Sequence, residues 1–269
     1  MTGRWTTLAV LGAASLALGS CGGSDASCAA KPGDTPGSVQ ASADCPVSVS
    51  IAVDATGALQ DKALARDAGS AAVRAAEHTI TAGGHLRMVV FGGDANAVEV
   101  IYDDRVPSLE ELDETRRGPM EHDLRRALGA TIDSALGVID EDPDLAGRVQ
   151  ALSRGGTSDI ARAVRNAVRD VKQQSGAGAV TLVSDGAQSS DQLMLSRRLQ
   201  AGDSSASLGA ELGGLLGSAD GVDVLQAVGL GRLPDRVNQS AKRTDELVEI
   251  WRTACEKTGA ANCATTTEL

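Results

Sequence analysis

The chain has 269 residues, enough for one large domain or two small ones. Hydrophobic residues at 42% and charged residues at 23% are the balance of a globular protein, and aromatics at 1% leave Ala, Val, Leu and Ile to build the core. A formal net charge of −11 argues against non-specific binding to nucleic acid or anionic lipid, which want a basic surface, and is compatible with holding a divalent cation.

The chain starts with Met1-Thr-Gly-Arg4, a short positive segment, followed by an apolar run from Leu8 to Leu18. That run has signal-peptide length and is too short to span a bilayer as a mature helix. It ends in Leu18-Gly19-Ser20-Cys21, which resembles the lipobox of bacterial lipoproteins. The resemblance implies a signal peptide over residues 1–20 and lipidation of Cys21, with the mature protein held on the outer face of the cytoplasmic membrane. More than one acyl chain gives stable anchoring because each buries many methylene groups. A plain secretory signal with an incidental cysteine is the alternative. Residues 21–45 hold Cys21 and a Gly-, Ser-, Ala-, Asp- and Pro-rich stretch that reads as a flexible tether.

Four further cysteines, Cys28, Cys45, Cys255 and Cys263, suggest two disulfides in an exported protein, with three possible connectivities. The local pairs Cys28–Cys45 and Cys255–Cys263 are favoured. The alternative staples the N-terminal arm to the last helix. A zinc site is disfavoured, because there is no C-x-x-C pair and His78, His85 and His122 lie far from the cysteines.

A buried strand is expected over 47–53, where Val47, Val49, Ile51 and Val53 alternate before Asp54-Ala-Thr56-Gly-Ala58. A helix over 60–81 carries Leu64, Ala68, Ala71, Ala72 and Ala75 on one face and stops at Gly83-Gly84. Strands follow over 85–91 and 97–102, the second antiparallel to the first because only a short loop separates them. Residues 108–140 read as helical, with a capping start at Ser108 and a break at Gly118-Pro119. The loop Gly155-Gly156-Thr157-Ser158-Asp159 opens another helix, and a strand over 179–183 ends in Ser184-Asp185-Gly186. Weaker helices over 193–199 and 208–216, a strand over 222–228 and a last helix over 244–257 complete the pattern. Strands alternating with helices predict an α/β fold, a doubly wound, mostly parallel sheet with helices on both faces. The domain is expected over 46–258, with 259–269 as a tail.

Three features are expected at the same sheet edge: Asp54 with Thr56, Thr157 in its glycine loop, and Asp185 in its turn. Carboxylates and hydroxyls are the donors that hard cations prefer, so the set Asp54, Thr56, Thr157 and Asp185 suits Mg²⁺ or Mn²⁺. Read singly, Asp54 bonds its own loop amides, Thr157 caps a helix, and Asp185 is a turn residue. Asp159 reads as a helix N-terminal acid, Trp251 as core, and the three histidines as surface groups.

The spaced motifs resemble those of von Willebrand factor A domains over roughly 46–257. That family has a doubly wound Rossmann-like sheet and a metal-ion-dependent adhesion site built from Asp-x-Ser-x-Ser, a loop Thr and a turn Asp. Asp54 matches the first Asp, Thr56 the first Ser, Thr157 the loop Thr and Asp185 the turn Asp. Ala58 stands where the second Ser belongs and has no oxygen. The resemblance implies a membrane-anchored protein-binding module, not an enzyme, whose cation accepts an acidic side chain from an envelope protein. A metal-dependent envelope hydrolase of phosphatase type is an alternative, but that chemistry wants a second acid two residues after the first, where Thr56 stands. No G-x-S-x-G or H-E-x-x-H motif is present. A solute-binding lipoprotein is a further alternative, disfavoured by the single domain and the scarcity of aromatics.

Overall fold

All eight residues of β1 (Val47–Asp54) are buried. It pairs in parallel with β2 (Gly84–Phe91) on one side and β4 (Ala177–Val183) on the other. The computed structural model describes residues 47–59, 61–93, 98–109, 112–155, 157–174, 177–232 and 240–269. The expected signal peptide, Cys21, the tether and the Cys28–Cys45 pair lie outside them.

With β3 (Val98–Val106), β5 (Val224–Val228) and β6 (Asn262–Thr266), these strands form one sheet of order β3-β2-β1-β4-β5-β6. Every pairing is parallel except β2 with β3. The order runs one way from β1 to β3 and the other way from β4 to β6. The crevice between the C-terminal ends of β1 and β4 is therefore the topological switch point, where open α/β sheets take ligands.

The helices are α1 (Ala55–Ala58), α2 (Lys62–Ala82), α3 (Glu114–Ala135), α4 (Pro143–Leu152), α5 (Ile160–Lys172), α6 (Leu195–Gln200), α7 (Ser205–Leu216) and α8 (Ala241–Thr258). Strand alternation sends Val47, Val49, Ile51 and Val53 of β1 into one core with α2, α3 and α4. Ala52, Val180, Leu182, Leu225 and Ala227 point the other way, into a second core with α5, α7 and α8. The first core is built largely from the alanines of α2, including Ala68, Ala72 and Ala76, whose small side chains let the helix lie close to the valines of β1. Among the described residues no helix is long and apolar enough to cross a membrane.

Three expectations change. Residues 259–269 are not a tail: Asn262–Thr266 is an edge strand paired with β5, and the Cys255–Cys263 disulfide ties it to α8. The strand lacks alternating apolar residues because all five of its residues are only partly buried. The helical stretch after Val106 does not start at Ser108 or break at Pro119. Asp113 caps α3 by accepting from the Arg116 amide, and Pro119 lies inside the helix on an exposed turn, where water can serve the carbonyl left without a partner. Finally, α4 is a separate helix that the pattern did not isolate, although its start carries a clear signal. Asp142 caps it through the Leu145 amide, and Pro143 occupies the first turn, where its missing N–H costs nothing.

Candidate metal centre

β1 ends on Asp54, which is 4% exposed and accepts four hydrogen bonds. Oδ1 accepts from the Thr56 amide at 2.9 Å and the Thr56 hydroxyl at 2.6 Å. Oδ2 accepts from the Ser158 hydroxyl at 2.7 Å and the Ser184 hydroxyl at 2.9 Å. A buried carboxylate is costly unless its lone pairs are met, and here each oxygen has two donors. The same carboxylate caps α1, so the local turn and the long-range contacts converge on one group.

The two serines are positioned independently. Ser158 is held by a two-way backbone bridge with Ser189, at 3.1 and 2.9 Å, which ties the loop before α5 to the loop after β4. Ser184 follows β4 directly, and its amide donates to the Val228 carbonyl of β5 at 3.1 Å. Asp185 comes next; its Oδ1 accepts from the Ala187 amide at 2.8 Å. Burial, and then the neighbouring charge of Asp54, push the Asp185 carboxyl up to about 7, against a smaller lowering by the Ala187 amide.

Gly186 closes this turn with φ 77°, a left-handed conformation that favours glycine. A Cβ there would lie 2.6 Å from Leu230 and 2.7 Å from the Trp251 indole nitrogen. That indole donates to the Gly186 carbonyl at 2.9 Å. Trp251 is thus a core residue, as expected, but its polar edge also clamps the turn that carries Asp185.

Of the residues singled out by sequence, Asp54 and Thr56 meet directly, and Asp185 lines the same crevice as Asp54. Thr157 does not join them in the way expected. It is exposed and sits against Gly93, where a Cβ would come within 2.6 Å of its hydroxyl. The hydroxyl from this loop that reaches Asp54 belongs to Ser158, one residue on. Ala58 is 5% exposed, borders the crevice and contributes to the adjoining core. Asp159 caps α5 through the Arg162 amide and pairs with Arg162 Nε at 3.3 Å, as its reading as a helix acid anticipates. His85 is not simply solvated, for its Nε2 lies 3.0 Å from Asp103.

Sequence reasoning missed Ser158, Ser184 and Gln188. Gln188 is 1% exposed; its Oε1 accepts from the Ala161 amide at 2.9 Å and its Nε2 donates to the Ser190 hydroxyl at 2.8 Å. It therefore braces the start of α5 against the loop after β4. The available signal was a polar residue next to each expected ligand: Ser158 beside Thr157 and Ser184 beside Asp185.

A hydroxyl has one proton and two lone pairs. The Thr56, Ser158 and Ser184 hydroxyls direct their protons to Asp54, so their oxygens would meet a cation through lone pairs, one of those on Ser184 already accepting from the Gly186 amide at 3.1 Å. Together with Asp185 they make an all-oxygen donor set without nitrogen or sulfur, the chemistry of hard ions that retain several waters. Among the described residues no group of three or more His, Cys, Asp or Glu side chains assembles, so hydroxyls and waters would have to complete any coordination sphere here. A cation would also offset the Asp54 repulsion that adds to burial in raising Asp185. The residues present fit Mg²⁺ or Mn²⁺. No protein-family model matches the chain, and no curated protein matches it in sequence.

Proposed function

We propose that this protein is a lipid-anchored, extracytoplasmic binding module of von Willebrand factor A type. It holds Mg²⁺ or Mn²⁺ through the Thr56, Ser158 and Ser184 hydroxyls, which Asp54 orients, and through Asp185, and takes an acidic side chain of an envelope protein as the last ligand of the ion. Thr157 adjoins this set. The observation that carries the reading is the gathering of three hydroxyls from three segments on one buried carboxylate, with a second carboxylate in the same crevice. The switch-point location supports it, because ligands of doubly wound sheets bind there. The lipobox-like Leu18-Gly19-Ser20-Cys21 supports the anchor and the outer-face location.

A phosphatase-type reading is weaker. Its nucleophilic carboxylate needs a free oxygen, whereas each oxygen of Asp54 already accepts two hydrogen bonds.

Calorimetric titration of Mg²⁺ and Mn²⁺ into the 22–269 protein tests the cation. Binding is expected in the wild type and lost in Asp54→Ala and Asp185→Ala. No heat in the wild type, or equal affinity in both variants, sinks the reading. Crosslinking from intact membranes with and without EDTA tests the partner, whose recovery is expected to depend on the cation.

A further inference from the structure

The exit from β5, Gly229-Leu230-Gly231-Arg232, is clamped to the candidate centre by its backbone. The Gly231 amide donates to the Asp185 carbonyl at 2.8 Å, and the Arg232 amide to the Gly229 carbonyl at 3.0 Å. The Gly229 amide donates to the Glu268 carbonyl at 3.0 Å, and the Leu230 amide to the Thr266 carbonyl at 3.1 Å. Gly229 and Gly231 both have positive φ, and a Cβ on Gly231 would come within 2.8 Å of Thr244, so the path of this loop is narrowly constrained. Its last residue, Arg232, borders the same crevice as Asp54 and Asp185.

Arg232 is exposed, and its Nε donates to the Thr267 carbonyl at 3.1 Å. Among the described residues its guanidinium forms no ion pair, and the bond through Nε leaves both Nη groups for a ligand. Among the described residues lining the crevice it is the one cation.

We propose that Arg232 is the second anchor of the ligand, so that the crevice selects a side-chain carboxylate by two points of contact. This rests on the proposed cation site. A cation held by Asp185 and the three hydroxyls would meet one carboxylate oxygen, and the Arg232 guanidinium donates to the other. A guanidinium suits this task because its planar N–H groups match carboxylate geometry and it stays charged at any physiological pH. Pinning Nε beforehand lowers the entropy lost when the ligand arrives. The anchor also offsets the repulsion an acidic ligand meets from a chain of net charge −11.

The test uses the full-length chain in detergent micelles, with Mg²⁺ alone and then with the blocked peptide acetyl-Gly-Glu-Gly-amide. The Mg²⁺ affinity of Arg232→Gln is expected to match that of the wild type within about twofold. Its affinity for the peptide in saturating Mg²⁺ is expected to fall about tenfold to a hundredfold, the range for a lost hydrogen bond between charged groups. Arg232→Lys is expected to recover part of the loss, and the Glu→Gln peptide to bind wild type and Arg232→Gln equally weakly. Normal Mg²⁺ binding with unchanged peptide affinity in Arg232→Gln overturns the role of Arg232 alone. Failure of the Mg²⁺-loaded wild type to bind the peptide also overturns it. Absence of Mg²⁺ binding in the wild type overturns the cation site and this inference together.

Discussion

The Ser158 hydroxyl lies 2.7 Å from the Asp54 carboxylate, a buried contact across 104 positions of sequence. It fastens the loop before α5 to the end of the central strand and supplies half of the hydrogen bonds to Oδ2. Whatever binds in this crevice meets a carboxylate that is already surrounded by hydroxyls.

The first prediction separates two adjacent hydroxyls. Ser158→Ala leaves a buried carboxylate oxygen short of a donor, and about 1–3 kcal/mol of stability is expected to be lost. Thr157→Ala alters an exposed side chain and is expected to stay within about 0.5 kcal/mol of wild type. Urea denaturation of both variants checks this, and equal destabilisation would contradict the assignment of Ser158.

The second concerns pH in protein freed of divalent ions. The Asp185 carboxyl titrates near 3.8 when unfolded and at about 7 when folded. Between these values the folded state binds more protons than the unfolded, so stability is expected to fall as pH rises from about 4 to 7 and to level off above. A tenfold difference in proton affinity between the two states corresponds to about 1.4 kcal/mol. Asp185→Asn is expected to abolish this slope, and saturating Mg²⁺ to flatten it. Thermal melts across pH check the sign; stability that rises through this window in wild type would refute it.

The third concerns the turn that carries Asp185. Gly186→Ala forces a Cβ into Leu230 and Trp251 at a positive φ and is expected to cost about 2 kcal/mol or more. Trp251→Phe keeps most of the ring volume but removes the donor to the Gly186 carbonyl, for about 1–2 kcal/mol. Both variants are also expected to weaken Mg²⁺ binding, which calorimetry measures. Stability loss with unchanged Mg²⁺ affinity would uncouple the turn from the site.

The fourth concerns β6. The Cys255–Cys263 disulfide closes a loop with a sequence separation of 8 residues. Chain entropy assigns such a link about 2–3 kcal/mol. The double Cys→Ser variant is expected to lose that much stability and to exchange its β5–β6 amides faster, because this sheet edge then loses its covalent tie to α8. Hydrogen exchange that stays at wild-type rates in β6 would show that the pairing needs no staple.

The sequence by itself determined the sheet class, the buried central strand with Asp54 at its end, the antiparallel β3, and the place of Asp159 as an acid at a helix N-terminus. Each is a local consequence of periodicity, loop length or a capping residue, which neighbouring positions encode. The tertiary structure decided the rest. Thr157 and Ser158 carry the same functional group one position apart, and the one that faces Asp54 is selected by the Ser158–Ser189 bridge between distant loops. Ser184 gained its role because β4 lies beside β1, a pairing that brings together residues 130 positions apart. β6 escaped notice because a half-buried edge strand needs no apolar alternation; backbone bonds to β5 and a disulfide to α8 define it instead. Local pattern reports which side of an element is buried, whereas the partner met by a polar side chain depends on how distant elements are brought together.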